Sequence, residues 1–111
     1  MAFDATLEMK NDIGVITLTG ELDASVAQTF RERIEEASAN KARKLALQME
    51  GLDYMSSAGL RVLVFAKQKM GSGVTIYVVG ARPEVHEPIK QSGFIYSVTM
   101  LESYDASVIE A

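Results

Sequence analysis

Two adjacent serines, Ser56 and Ser57, are the residues of this chain whose position best suits them to chemistry. They stand between a predicted buried strand and an apolar helical segment. One serine should cap the start of that helix, where backbone N–H groups lack partners. The other should lie in the first turn with its hydroxyl pointing outward. A phosphate is stabilised there, because the helix dipole favours an anion by roughly 0.3–1 kcal/mol. The alternative interpretation is a helix cap with no further function.

The residues that a catalytic serine would need are not found around this pair. The single histidine, His86, stands between two glutamates, and Ser57 lacks the Gly-x-Ser-x-Gly context of a hydrolase nucleophile. The chain also has no phosphate-binding Gly-x-x-x-x-Gly-Lys loop and no metal-ligand spacing. We therefore expect no enzymatic activity, no cofactor and no metal site.

Composition limits the kinds of partner. The 111 residues carry a net charge of −4 with acidic and basic residues interspersed, so there is no basic surface for nucleic acid. Cysteine is absent, and no apolar run approaches the roughly 18 residues that span a bilayer. The N-terminal residues do not resemble a signal peptide. We expect a single domain over residues 1–111 that acts in the cytoplasm without inserting into a membrane.

The elements before the serines follow from hydrophobic periodicity. Residues 6–10 and 14–20 are predicted to form a hairpin with its turn at residues 11–12. Asp23 or Ser25 is predicted to cap the next helix. The apolar residues of this helix recur at three- and four-residue steps: Val26, Ala27, Phe30, Ile34 and Ala37.

The helix after the serines is predicted to cover residues 57–70 and to stop at Gly71-Ser72-Gly73. Arg61 and Gln68 mark its solvent side. Its apolar stripe comprises Leu60, Val62, Leu63, Ala66 and Met70.

Two apolar residues of the same helix, Val64 and Phe65, flank those polar positions instead of joining the stripe. Either neighbouring helices cover them, or they form a partner surface beside the serines. We favour coverage for Phe65 and leave both interpretations open for Val64.

Two further strands are predicted on either side of the serine helix. Residues 44–49 alternate in polarity, and residues 74–79 form a nearly continuous apolar run that is typical of a buried parallel strand. A helix should then begin at Pro83, be interrupted early by Pro88 and end at Gly93.

The last segments complete an α/β pattern. Residues 94–100 are predicted to form a short edge strand, and residues 103–109 a terminal helix capped by Ser103. Strands and helices alternate after the first hairpin, which favours an α/β layer with a mixed sheet.

Two motifs carry a resemblance to a known family. Residues 54–63 read Tyr-Met-Ser-Ser-Ala-Gly-Leu-Arg-Val-Leu, and residues 20–23 read Gly-Glu-Leu-Asp. Together, in this order, they resemble the signature segments of STAS domains, the family of bacterial anti-sigma factor antagonists. The resemblance extends over nearly the whole chain. It implies a single-layer mixed β-sheet of four to five strands with about four helices, mainly on one face.

The resemblance also implies a regulatory circuit. Such proteins bind an anti-sigma factor that is also a serine kinase, and binding frees the sigma factor. The kinase phosphorylates the antagonist and thereby releases it, and a serine phosphatase resets it. Matching the motif places the phosphoacceptor at Ser57 and, as the less favoured position, Ser56, where many members carry aspartate. Ala58 replaces a Ser or Thr of those members.

The resemblance implies a partner surface around the phosphoacceptor, with Asp23 close to the phosphorylated serine. Its expected residues are Asp23, Ser56, Ser57, Ala58, Gly59, Leu60, Arg61 and Val64. The alternative function is that of a STAS subunit in a lipid or anion transport complex, in which the serine is only a cap. Nucleotide binding by the domain is a third, weaker hypothesis.

Overall fold

The computed structural model describes residues 2–71 and 73–111. In this part of the chain, five strands form one sheet whose spatial order, β1-β2-β3-β4-β5, is the same as their order in the sequence. The first pair is antiparallel and the other three pairs are parallel, which confirms the predicted mixed sheet. The strands are β1 (Asp4–Lys10), β2 (Ile13–Leu22), β3 (Lys44–Met55), β4 (Thr75–Val79) and β5 (Thr99–Leu101).

Helices cover the two faces of the sheet unequally, as predicted. Three of them pack on one face, above a core that includes Leu18, Leu47 and Val78. The short C-terminal helix lies on the other face, where Ile109 packs against Val15 and its neighbours. The helices of the described residues are α1 (Ala27–Ala39), α2 (Ser57–Met70), α3 (Pro83–Gln91) and α4 (Ala106–Ile109), with a 3-10 turn at Phe94–Ser97.

The first hairpin has the predicted two-residue turn. Lys10 pairs with Ile13, and Asn11 adopts the left-handed conformation (φ 56°) that such a turn requires. The strand that follows is longer than predicted and reaches Leu22. Near its end, Gly20 has φ 87°, and a Cβ atom there would lie 2.3 Å from the carbonyl oxygen of Ala2, so only glycine fits.

The predicted cap of α1 is wrong, although its buried face is as expected, with Phe30, Ile34 and Ala37 in the core. The helix begins at Ala27, and its N-cap residue, Val26, makes no side-chain capping bond. Asp23 and Ser25 instead hydrogen-bond each other within the turn that precedes the helix. Aspartate and serine side chains stabilise local turns as well as helix caps, and here they bond within the turn.

The predicted end of β3 at Met49 is also wrong, because the strand continues for six residues to Met55. The extension pairs with the tail of β2, through Thr19 with Gly51 and Leu22 with Met55, across two register shifts. Gly51 and Asp53 gave this segment the composition of a loop. Pairing with a long neighbouring strand overrides that local preference.

The helix that carries Ser57 has the predicted bounds, Ser57–Met70, and Gly71 ends it with φ 83°. Ser72, part of the predicted stop, lies outside the described residues. Phe65 is half-buried beneath Arg31 of α1, whose guanidinium lies 4.0 Å from the ring centroid, so coverage by a neighbouring helix is confirmed. Val64 remains 37% exposed.

Three predictions for the C-terminal part are wrong. The strand predicted over residues 94–100 is a 3-10 turn at Phe94–Ser97 followed by the short edge strand Thr99–Leu101. Pro88 does not interrupt α3, which runs through it and buries Val85 and Ile89 against the core. Burial of this face outweighs the single backbone bond that proline cannot donate. The last helix starts after Asp105, which accepts from the backbone N–H of Ser107, so Ser103 is not its cap. No helix in the described residues is long and apolar enough to cross a bilayer.

Candidate functional site

The candidate site lies where β2 and β3 end side by side. Leu22 pairs with Met55 at the last position of both strands. One residue later, the backbone N–H of Ser56 donates to the carbonyl oxygen of Leu22 at 2.8 Å. Because the two strands are parallel, the residues that follow them leave the sheet at the same edge. Asp23 and the serine pair therefore start from adjacent backbone positions.

The two serines have different roles in the local structure. Ser56 has extended backbone angles (φ −80°, ψ 173°), and its hydroxyl accepts from the backbone N–H of Gly59 at a long 3.4 Å. It is therefore the N-cap of α2. Ser57 is the first helical residue and is exposed, whereas Ser56 is half-buried. The structure thus confirms that one serine caps the helix while the other faces solvent.

A close contact between the two motifs fixes the height of α2 above the sheet. Gly59 is buried, and a Cβ atom placed on it would lie 2.8 Å from Cγ of Leu22 and 2.8 Å from Cγ of Met55. No side chain fits at that distance without movement of its neighbours. The glycine of one motif therefore lets the helix rest on the leucine of the other.

Asp23 is held by its own turn and stays exposed. Its Oδ1 accepts from the Ser25 hydroxyl at 2.6 Å and from the Ser25 backbone N–H at 2.9 Å. These bonds favour the charged form, and the Ser25 hydroxyl is the main reason that the pKa of Asp23 is lowered below its usual value. Burial opposes this shift, and the backbone N–H groups of Ser25 and Val26 add to it. The carboxylate at this edge of the site is therefore ionised at neutral pH.

A shallow groove of about 180 Å³ runs between α1 and α2 beside the serines. Ala58, Val62 and Phe65 give it an apolar floor, and Arg31 and Arg61 are on its walls. Helix α2 itself contains no acidic residue, and its charged side chains are Arg61, Lys67 and Lys69. On a chain with net charge −4, this groove is a local concentration of positive charge.

The expected partner residues thus occupy different environments. Ala58 and Arg61 line the groove, Val64 is exposed on another side of α2, Leu60 is half-buried and Gly59 is buried. Sequence reasoning missed Leu22 and Arg31 as members of this region. Leu22 lies within the Gly-Glu-Leu-Asp motif and could have been inferred from it, whereas Arg31 carries no distinguishing signal among the polar residues of α1.

Two other kinds of site receive no support from the described residues. His86 lines a separate cavity at the ends of β4 and β5, with Gly80 and Glu102, and in the described part of the chain no hydrogen bond joins it to Ser56 or Ser57. Among residues 2–71 and 73–111, no three or more His, Cys, Asp or Glu side chains are grouped so as to hold a metal ion.

Comparison with known proteins gives a consistent result. The family model "STAS domain" matches residues 4–107. Anti-sigma-F factor antagonist RsfB of Mycobacterium tuberculosis is 27% identical over 88 residues, which are 79% of this chain and 72% of that protein.

Solved structures share the fold. An anti-sigma factor antagonist from Mycobacterium paratuberculosis superposes with a TM-score of 0.89 at 20% identity, covering 99% of this chain and 96% of that one. The unphosphorylated anti-sigma factor antagonist SpoIIAA gives a TM-score of 0.80 at 22% identity, over 96% and 94% of the two chains. The phosphorylated form of the same Bacillus protein gives 0.73 at 22% identity, over 96% and 97%.

Proposed function

The chain belongs to the STAS domain family, and we propose that it is an anti-sigma factor antagonist whose partner binding is switched by phosphorylation of Ser57. In this proposal the unphosphorylated form binds an anti-sigma factor that is also a serine kinase. The relative RsfB bears the name of an anti-sigma factor antagonist and supports this assignment. The chain acts as a binding module of the cytoplasm and performs no catalysis of its own.

The observation that carries the proposal is the position of Ser57. Its side chain is exposed at the first position of a 14-residue helix. The neighbouring Ser56 caps that helix, so the Ser57 hydroxyl is not needed as a cap. A kinase can reach such a hydroxyl without unfolding the helix. The γ-phosphoryl group of ATP is transferred to Oγ, ADP leaves, and a serine phosphatase later removes the phosphate by hydrolysis.

Phosphorylation changes the charge of the site much more than its fold. The phosphate adds about −1.5 to −2 charges and three acceptor oxygens. The N-terminus of α2 stabilises that charge, so the helix remains intact. Asp23 starts from the neighbouring strand end and is ionised, so the site becomes strongly acidic. We propose that this added charge, and the bulk of the phosphate, expel the partner.

The proposed partner surface is centred on the start of α2. Ser57 and Asp23 are exposed at its centre, Ala58 and Arg61 extend it along the groove, and Val64 extends it along the other side of α2. Ser56, Gly59 and Leu60 contribute mainly by holding this start in place.

The test uses candidate anti-sigma factor kinases encoded in the same genome. Each is purified with ADP and titrated calorimetrically with the wild-type chain, with Ser57→Ala and with the chain carrying phosphoserine at residue 57. The proposal expects tight binding for the first two and loss of binding for the third. Incubation with ATP should then place phosphate on Ser57, as mapped by mass spectrometry.

Two results would contradict the proposal. Phosphate found on Ser56 alone would move the switch to the cap residue. Stable membership in a membrane transport complex, unaffected by phosphoserine at residue 57, would support the transport-subunit alternative.

A further inference from the structure

The positive charges of α2 are not balanced by any acidic residue within the helix. Ser57 and Arg61 are four residues apart on the same helix, and both are exposed. The helix has no acidic residue to pair with this arginine. Among residues 2–71 and 73–111, no acidic side chain lies within ion-pair distance of Arg61.

We propose that Arg61 is an intramolecular clamp for the phosphate on Ser57. In the phosphorylated protein its guanidinium pairs with the phosphate oxygens across one turn of α2. This inference rests on the proposed phosphorylation of Ser57 and adds the residue that receives the new charge.

Helix geometry permits this pair. Residues i and i+4 lie on the same face, with Cβ atoms about 5–6 Å apart, and an acidic group placed N-terminal to a basic one is the more favourable order. Guanidinium N–H groups match the spacing of phosphate oxygens and can donate two bonds at once. The free backbone N–H groups of the first turn point toward the same phosphate.

The neighbouring charges make Arg61 the favoured partner. Asp23, at the end of the adjacent strand, is ionised and repels a phosphate. Arg31, across the groove, is already stacked on Phe65 and lies 4.0 Å from a carboxylate oxygen of Glu35. Among the described residues, Arg61 is therefore the cation of this region that takes part in no ion pair and no cation–π contact.

The clamp has a consequence for the groove between α1 and α2. Arg61 lines this groove in the unphosphorylated protein. Once paired with phosphate, it has fewer free donors and its positive charge is balanced, so it attracts an acidic partner less. Phosphorylation then acts twice, by adding negative charge at residue 57 and by neutralising a positive charge on the groove wall.

The experiment measures the second ionisation of the phosphate directly. Phosphoserine is installed at residue 57 during translation, in the full chain, and phosphorus NMR follows its chemical shift from pH 4 to pH 8. Four proteins are compared: the wild-type chain, Arg61→Gln, Arg61→Lys and Lys69→Gln. Lys69→Gln is the matched control, because it removes one positive charge from the same helix at a site about 18 Å from Ser57. This distance exceeds the electrostatic screening length of about 8 Å at physiological salt.

The clamp predicts a phosphate pKa in the wild-type chain that is lower by about 0.3 pH units or more than in Arg61→Gln. Lys69→Gln should match the wild-type chain, and Arg61→Lys should lie between the wild-type chain and Arg61→Gln. Equal pKa values in the wild-type chain and Arg61→Gln would overturn the clamp. Equal shifts in Arg61→Gln and Lys69→Gln would also overturn it, because they would indicate only the total charge. Neither result depends on a kinase or partner, so the clamp can fail while the proposed function stands.

Discussion

Leu22 and Gly59 touch across the junction between sheet and helix, so closely that a Cβ atom on the glycine would lie 2.8 Å from Cγ of the leucine. Leu22 ends β2, and Gly59 lies in the first turn of α2. The contact joins the two motifs, residues 20–23 and 54–63, that carry the family resemblance. It sets where the N-terminus of α2, and with it Ser57, stands above the sheet.

Replacing Gly59 with alanine should destabilise the protein. The added methyl group must displace Leu22 and Met55 near their Cγ atoms, where both side chains are already held in the core. Overpacking of this kind costs about 1–3 kcal/mol. Urea unfolding followed by circular dichroism measures the change in the free energy of unfolding.

The matched control for that substitution is Gly73→Ala. A Cβ atom at Gly73 meets no atom within 4 Å. Its unfolding free energy should therefore stay within about 0.5 kcal/mol of the wild-type value. An equal loss in both variants would show that the Leu22 contact is not the cause.

Replacing Ser56 with alanine should cost more stability than replacing Ser57 with alanine. Ser56→Ala removes the hydroxyl that accepts from the N–H of Gly59, and because this bond is long at 3.4 Å we expect a loss of about 0.5–1 kcal/mol. Ser57→Ala removes an exposed hydroxyl and should change stability by less than about 0.5 kcal/mol. Thermal unfolding of both variants in parallel tests this, and a larger loss for Ser57→Ala would reverse the assignment of the cap.

The carboxylate of Asp23 should titrate below its usual pKa of 3.8. Since the folded state lowers this pKa, the contribution to stability is present at pH values above 3.8 and is lost as the pH falls through the folded-state pKa. Ser25→Ala should raise the pKa of Asp23, because the Ser25 hydroxyl is the main cause of the shift. The pKa of Asp23 is measured by following the carbon NMR signal of its side-chain carboxyl group as the pH changes.

The chain supplies a matched control for this titration at the other end of the sequence. Asp105 accepts from the hydroxyl and backbone N–H of Ser107 in the same arrangement, and its pKa is lowered for the same reason. Ser107→Ala should therefore raise the pKa of Asp105 and leave that of Asp23 unchanged. A change at Asp23 in this variant would point to a general electrostatic effect in place of the local bond.

Phosphoserine at residue 57 should weaken binding to the anti-sigma factor by a hundredfold or more, equivalent to about 3 kcal/mol. The reason is that a dianion then stands beside ionised Asp23 on the proposed partner surface. The control carries phosphoserine at the exposed Ser97, in the 3-10 turn before β5, and should bind as the wild-type chain does. Equal weakening by both phosphates would argue against a switch localised at α2.

The sequence predicts α2 well because its boundaries depend on local chemistry. A serine that accepts from the first turn and a glycine with positive φ act within a few residues, and both signals are visible without knowledge of the fold. The same is true of the two-residue turn of the first hairpin.

Two of the failures arise where a distant partner decides the outcome. The last six residues of β3 have the composition of a loop and become a strand because the tail of β2 is there to pair with them. Helix α3 continues through Pro88 because Val85 and Ile89 must be buried against the core. Neither partner can be identified from a short window of sequence.

The candidate site also combines features set by local sequence with features set by distant contacts. The different exposure of Ser56 and Ser57 follows from the rules of helix capping. The contact of Leu22 with Gly59 depends on the register of β2 against β3, which includes two irregular steps. The position of Arg31 beside Phe65 depends on how α1 packs against α2.

The identical order of the strands in space and in sequence has a consequence for biosynthesis. Each strand is laid down beside the one made just before it, so no later strand has to be inserted between two that are already paired. Residues 4–70 contain β1, β2, β3, α1 and α2, and therefore every element that builds the surroundings of Ser57. On a ribosome, where domains begin to fold from the N-terminal side, the elements around Ser57 emerge before β4 and β5 do.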